Sequence, residues 1–247
     1  MNISGVEIGK GHPCRTVFEI SNSHNGDYER AVALIDAAKD AGADFVKFQA
    51  YTPQELVELR GDGPAPDPWG ARGWSMRDLY EKAQTPLNWL PGLVAHCRDI
   101  GMPWFSSVFG VGSLAVLESL NCPAYKLAAL DHSKRRLLWM VRGTGKPIIR
   151  SCASQHRPPG NDTALYCPPG YPQTPTSLLR PLKRYDGLSY HGTDPSVPAL
   201  AAALDARMVE CHVQLDDEPS ELESNVCLSM TQFAEMVRQI RATEAWV

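Results

Sequence analysis

The chain has 247 residues, 43% apolar and 21% charged, with a formal net charge of −4. That composition excludes a disordered chain, and the near-neutral balance argues against a nucleic-acid or anionic-membrane binder. No apolar run approaches the roughly 18–20 residues of a bilayer span, and the N-terminus lacks the apolar centre of a signal peptide, so a cytoplasmic protein is expected.

Short β-branched or aromatic runs alternate with amphipathic stretches along the chain. The first predicted strand covers 16–21. A helix follows over 29–38, with Val32, Ile35 and Ala38 on one face, Asp27 as its N-cap and Gly42 as its stop. A second strand is predicted over 44–50. The segment 60–74, with several Gly and Pro, reads as a long surface excursion. A helix over 86–99 has Pro86 in its first turn and Gly101 at its end. Strands follow at 103–109, 124–130, 146–152, 163–167, 186–191 and 207–214. Further helices are predicted over 112–120, 137–142, 195–204 and 229–245.

Strand–helix alternation implies parallel strands joined by right-handed crossovers. Eight repeats in about 250 residues favour a closed (β/α)8 TIM barrel over an open doubly wound sheet. A single barrel domain over 1–247 is expected. Only about ten residues, including Pro158-Pro159-Gly160, separate the fifth and sixth strands, too few for a crossover helix. The fifth helix is therefore predicted to be missing or reduced to a turn, and a partner chain packing there, as in a homo-oligomer, is one way to cover the gap. The seven cysteines form no C-x-x-C pair and several lie in apolar runs, which reads as buried reduced thiols.

In a barrel, chemistry belongs at the C-terminal ends of the strands. Polar residues collect there: Glu19 with Ser21 and Ser23, Lys47 with Gln49, Ser106 with Ser107, then Lys126, Ser151, Ser189 with His191, and His212. Strands buried on both faces are otherwise nearly all apolar, so these intrusions point to a site. His191 and His212 end neighbouring strands. They suit a shared divalent metal, or equally two rim histidines bonded to their neighbours. Lys47 and Lys126, with Ser107, Ser151 and Ser189, suit a phosphate or carboxylate; the alternative is outward, snorkelling lysines. Glu19 reads as a general base, a hydroxyl acceptor or the partner of a lysine. Asp131, Tyr171 and Glu223 sit on loops above the mouth, where a polyhydroxylated substrate would touch them or solvent would. His24 orients its loop or meets substrate. His12, His96, His132 and His156 have no identifiable partner.

Read in order, these stretches resemble the sialic acid synthase family, the N-acetylneuraminate, legionaminate and pseudaminate synthases. The resemblance rests on Phe18-Glu19-Ile20-Ser21-Asn22-Ser23-His24-Asn25-Gly26-Asp27, Ala41-Gly42-Ala43-Asp44-Phe45-Val46-Lys47-Phe48-Gln49, Pro123-Ala124-Tyr125-Lys126 and Gly145-Lys146-Pro147-Ile148-Ile149. It continues in Gly187-Leu188-Ser189-Tyr190-His191 and Val209-Glu210-Cys211-His212. It spans about residues 16 to 240. It implies condensation of phosphoenolpyruvate with an aldehyde acceptor and release of phosphate. His191 and His212 match the metal ligands, usually given Mn2+. Lys47, Ser107, Lys126, Ser151 and Ser189 match the residues that hold phosphoenolpyruvate. Glu19 matches the glutamate near the reacting carbons. Asp131, Tyr171 and Glu223 fall where the family meets its acceptor sugar.

The sequence departs from the family mainly on the acceptor side. Ala129 stands where a serine is usual, Tyr190 replaces the aspartate before the first histidine, and Pro168-Pro169-Gly170 replaces a Cys-proximal Thr-Asn/Ser pair. Pro219-Ser220-Glu221-Leu222-Glu223 replaces a Pro-Gly-Pro-Asp loop. The family's C-terminal antifreeze-like domain, with its acceptor-gripping arginine, is not expected here, as the sequence in hand ends at Val247. An acceptor other than an ordinary N-acetylhexosamine is expected. The other readings are a metal-dependent aldolase or lyase on a keto acid, and a non-catalytic small-molecule-binding barrel.

Overall fold

The structure is a computed structural model and describes residues 1–131, 134–173 and 180–244. An N-terminal hairpin opens the chain: β1 (Asn2–Ile3) pairs antiparallel with β2 (Val6–Glu7). Ser4 and Gly5 both take positive φ in the two-residue turn between them, which is the geometry hairpins favour. Eight parallel strands follow: β3 (Arg15–Glu19), β4 (Phe45–Ala50), β5 (Trp104–Val108), β6 (Tyr125–Leu127), β7 (Ile148–Cys152), β8 (Thr163–Tyr166), β9 (Gly187–Tyr190) and β10 (Met208–Gln214). Each pairs with the next, and β10 pairs with both β9 and β3, so the sheet closes into the expected barrel. A short β11 (Cys227–Ser229) pairs in parallel with the C-terminal end of β10, with Cys227 opposite His212.

Every barrel strand alternates. One set of side chains faces the helices and forms the large outer core, including Phe18, Phe48, Tyr125 and Leu188. The other set fills the interior. Its lowest residues are apolar: Val17, Phe45, Phe105, Ala124, Ile149, Leu165 and Met208. Ile3 and Ile8 of the hairpin region pack beneath them and close the barrel floor. Gly187 completes this layer, because a Cβ there would lie 2.0 Å from the Met208 carbonyl oxygen.

The helices are α1 (Tyr28–Asp40), α2 (Pro53–Arg60), α3 (Met76–Ala83), α4 (Leu90–Asp99), α5 (Val111–Ser119), α6 (Arg135–Arg142), α7 (Ser196–Ala203) and α8 (Met230–Glu244). Asp27 caps α1 by accepting from the Arg30 amide, as the sequence predicts. The buried face of α1 is Ala31, Leu34, Ile35 and Ala38, with Val32 only half-buried at its margin. The helix predicted from Pro86 begins instead at Leu90, with Pro91 in the first turn. The segment predicted as one excursion is flanked by two capped helices, α2 and α3, each only two turns long. The predicted end of the last helix at residue 245 lies outside the described residues, as does His132.

No helix bridges β7 and β8. Charged ties hold that side: Asp162 accepts from Arg142 at 3.0 Å and from Arg150 at 3.2 Å, and Asp186 accepts from Arg157 at 2.6 Å. The Tyr185 hydroxyl donates to the Ser154 carbonyl at 2.7 Å. Between β8 and β9 the described residues hold only a 3-10 turn, Arg180–Arg184. All seven cysteines are buried and free. No helix among the described residues is long and apolar enough to cross a membrane.

Candidate active site

Two residues above the apolar layer, the same strands turn polar. Glu19, Lys47, Ser107, Lys126, Ser151, Ser189 and Glu210 occupy the next inward positions, all buried. They form one network. The Lys47 ammonium pairs with Glu19, donates to the Ser107 hydroxyl at 3.0 Å and lies 3.7 Å from Glu210. Lys126 Nζ donates to both Glu210 oxygens, at 2.7 and 2.9 Å, and the Ser189 hydroxyl donates to the same carboxylate at 2.9 Å. The Glu19 carboxylate also accepts from the Ser21 amide at 2.8 Å, for which Ser21 adopts a left-handed φ of 46°. Two buried cations thus face two buried anions, as burial of charge requires. Burial alone would lower the Lys47 pKa, but Glu19 and Glu210 reverse this and hold it above the ordinary lysine value. At Lys126 burial prevails, helped by repulsion from Lys47 against attraction to Glu210, and its pKa falls. Burial would raise Glu210, yet the two lysines hold it well below the usual carboxylate range.

Above this layer, the His191 and His212 rings stand 4.8 Å apart between centroids. His191 Nδ1 receives the Gln173 side-chain amide at 3.2 Å, and the Gln173 carbonyl oxygen accepts the His191 backbone N–H at 3.0 Å. His212 Nδ1 lies 3.1 Å from Glu223. Glu223 in turn accepts from the Tyr171 and Ser21 hydroxyls. The two imidazoles differ electrostatically. Burial, and then repulsion from His212, push His191 down to about 3. Burial would also lower His212, but the Glu223 carboxylate more than reverses it and holds it at about 10.

Each Nδ1 is engaged, so Nε2 is the nitrogen each histidine offers to a ligand. A carboxylate behind a histidine is the usual support of a metal-bound imidazole. The ligand atoms of His212, Glu223 and Cys227 also lie within 4.8 Å of one another. That second set, one imidazole, one carboxylate and one thiol without His191, would also fit a divalent first-row transition metal, with Glu223 then a ligand and not a support.

These residues border a cavity of about 590 Å³ at the C-terminal mouth of the barrel. Lys47, Gln49, Ser107, Lys126, Ser151, Tyr171, Ser189, His191, His212 and Glu223 all line it. Glu19 lies just beneath, as the partner of Lys47. Asp131 lies outside the lining: it is fully buried and grips the Arg60 guanidinium with both oxygens, at 3.1 and 2.5 Å. His24 also stays out. It accepts the Gly26 amide at 3.0 Å and meets Thr85 at 3.2 Å, so it orients its loop. His96 pairs with Asp36 at 2.6 Å. The Ser151 hydroxyl, 1% exposed at the cavity wall, has no hydrogen-bond partner among the described residues.

Sequence reasoning gave no role to Glu210, Arg60 or Gln173. Glu210 was legible: it interrupts an apolar strand and sits two residues before His212, on the same inward face.

The NeuB family profile matches residues 34–157 and 176–247. The chain belongs to the NeuB family. It is 33% identical to the pseudaminic acid synthase of Helicobacter pylori over 93% of this chain and 74% of that one. It is 27% identical to the mouse N-acetylneuraminate-9-phosphate synthase, over 97% of this chain and 73% of that one. Among solved structures, it superposes on the spore coat polysaccharide biosynthesis protein SpsE of Bacillus subtilis with a TM-score of 0.77 and 26% identity, covering 99% of this chain and 72% of that one. A sialic acid synthetase from Leptospira borgpetersenii gives a TM-score of 0.84 at 20% identity, over 100% of this chain and 89% of that one, which is a likeness of fold. As a NeuB family member the chain is a carbon–carbon bond-forming synthase, which sets aside the non-catalytic reading.

Proposed function

We propose that this NeuB family synthase condenses phosphoenolpyruvate with an aldehyde, forming a 2-keto acid and releasing phosphate. The observation that carries the reading is at the cavity floor. Two buried lysines converge there beside a buried serine hydroxyl, Ser151, that lacks a partner among the described residues. Unpartnered buried donors are rare in folded proteins, and an anion would satisfy this one. The relatives named pseudaminic acid synthase and N-acetylneuraminate-9-phosphate synthase support the same chemistry.

Lys47 and Lys126, with Ser107, Ser151 and Ser189, hold the phosphate and carboxylate of phosphoenolpyruvate. Glu19 and Glu210 pair with the lysines when the donor is absent and offset the cost of burying them. His191 and His212 hold a divalent metal, Mn2+ in this reading. When bound, it supplies Lewis-acid polarisation of the acceptor carbonyl. C3 of phosphoenolpyruvate forms a bond to the aldehyde carbon, and the aldehyde oxygen takes a proton and becomes a hydroxyl. Water adds to C2, the C2–O bond to phosphate breaks, and the 2-keto group remains. Glu19, at the end of β3 and beneath the cavity, pairs with Lys47 and so positions the lysine that grips the donor, while the proton of the added water leaves with the phosphate. Gln49, Tyr171 and Glu223 border the acceptor. The enzyme is one of the cytoplasm, where free thiols such as its seven persist.

The test is a melting experiment with phosphoenolpyruvate, with and without Mn2+, followed by phosphate release with aldehydes. A ligand at about 100 times its Kd adds about 2.7 kcal/mol, a rise of several degrees. A rise with phosphoenolpyruvate, enlarged by Mn2+ and absent in Lys126→Met, is expected. A rise with Mn2+ alone would move the assignment to an aldolase or lyase acting on a keto acid.

A further inference from the structure

The loop that carries Glu223 has little in its own sequence to keep it at the mouth. Residues 215–223 join β10 to the 3-10 turn Ser224–Val226. They contain five carboxylates, Asp216, Asp217, Glu218, Glu221 and Glu223, and no lysine or arginine. Like charges at that density repel, and such a run by itself favours solvent over a cavity rim. Yet Glu223 is held 3.1 Å from His212 Nδ1. The groups that hold the loop come from residues 22–30, between 188 and 198 positions earlier in the chain.

Three side chains of that segment grip the loop. The Arg30 Nε donates to the Ser23 carbonyl at 2.5 Å, and its two Nη groups donate to the carboxylate and the backbone carbonyl of Glu218. Asn25 donates to the Pro219 carbonyl at 3.1 Å and accepts the Glu221 amide at 2.9 Å. Asn22 accepts the Ser220 hydroxyl at 2.7 Å, and the oxygen of that hydroxyl accepts the Glu223 amide at 3.1 Å. The last contact joins the clamp to the backbone of Glu223 itself. Lys82 of α3 adds an ion pair to Glu221 at 3.2 Å, exposed and so weak.

Arg30 is the costly member. It lies on the buried face of α1 beside Ala31, Leu34 and Ile35 and is 8% exposed. An apolar side chain there would bury with a smaller penalty. Arg30 is not one of the residues lining the cavity. Its guanidinium spans two segments, the Ser23 carbonyl ahead of α1 and Glu218 after β10, so what it contributes is the fixed distance between them.

We infer that Arg30 is a positioning residue of the rim. With Asn25 and Asn22 it holds the 215–223 loop against the mouth, and through Ser220 and Glu223 it fixes how His212 faces a metal. The inference rests on the proposed condensation for the metal's task. It adds the group that sets the geometry, whether Glu223 supports His212 or ligates beside it.

The experiment uses the full chain and two variants. Arg30→Ala removes the guanidinium. Asn25→Gly removes both loop contacts and keeps the left-handed turn, where Asn25 has a φ of 51°. Electron paramagnetic resonance of free Mn2+ gives the Kd for the metal without substrates, and calorimetry gives the Kd for phosphoenolpyruvate without metal. Both variants are expected to weaken Mn2+ binding by at least about tenfold, the usual cost of losing an outer partner of a metal site. The Kd for phosphoenolpyruvate should not change, since Lys47, Lys126 and Ser151 stand on other strands. Guanidinium ion at millimolar concentration should restore Mn2+ affinity in Arg30→Ala and do nothing for Asn25→Gly, a pattern that lost folding stability would not give. Unchanged Mn2+ affinity in both variants overturns the inference and leaves the condensation reading standing. Equal losses for the two ligands mark a general loosening and overturn it as well. A wild type that binds Mn2+ but not phosphoenolpyruvate overturns the condensation reading, and the variants still decide the clamp.

Discussion

The lower and upper halves of the barrel interior are built from the same eight strands, one inward step apart. Below, Phe45 and Phe105 meet edge to face at 5.6 Å within a wholly apolar layer, sealed by the N-terminal hairpin. Above, Lys47 and Lys126 face Glu19 and Glu210. The contrast teaches where stability and chemistry separate in this fold. The lower layer gains from every buried methylene. The upper layer buries charge that recovers little more than its own desolvation, and it is retained for what it binds.

The lower layer should respond most to truncation. Phe105→Ala removes a fully buried ring from a closed layer, and the expected loss is about 3–5 kcal/mol. At this chain length that is a fall in Tm of roughly 10 °C. Calorimetric melting measures it, and kcat/KM for phosphate release at low temperature should change little. A large loss of kcat/KM with unchanged Tm would show that the two layers are not separable.

In the upper layer the sign should reverse on the second substitution. Lys126→Met leaves Glu210 with Ser189 and with Lys47 at 3.7 Å, a poorly compensated buried anion. The expected cost is about 3 kcal/mol. Adding Glu210→Leu removes that anion, and the double variant should melt near or above wild type while releasing no phosphate. If the double variant is less stable than the single one, the network contributes to folding after all.

Much of this contrast was legible in the sequence, because strand period and side-chain polarity carry it. Lys47 lies two residues above Phe45, and Lys126 two above Ala124, so one apolar run encodes both layers. The same alternation made His191 and His212 visible as neighbours. Partners supplied from far along the chain were not visible. Asp131 looks like a free loop carboxylate until Arg60, 71 residues earlier, is folded against it. Gln173 lies in a loop without periodicity, and only the fold brings it to His191. The helices α2 and α3 escaped notice because two turns give too short an apolar pattern to stand out from their Gly- and Pro-rich neighbour.

The smallest expected effect separates the two rim histidines. His212 has a folded pKa of about 10 against an ordinary value near 6.5, so the native state holds its proton more tightly than the unfolded chain does. That stabilisation is complete below about pH 6.5 and is lost as pH rises through about 10. His191 behaves oppositely: held down to about 3, it lets stability fall as pH drops below about 6.5. With chelator present, wild type should therefore lose several degrees of Tm between pH 7 and 10 relative to His212→Gln, in which nothing titrates at that position. Parallel curves would mean that Glu223 does not hold a proton on His212. A metal at Nε2 competes with that same proton, since a ligating imidazole must be neutral. The rise in Tm on adding Mn2+ should accordingly grow from pH 6.5 to 8.5 in wild type and be absent in the variant, which ties the charge on one rim histidine to the chemistry the upper layer supports.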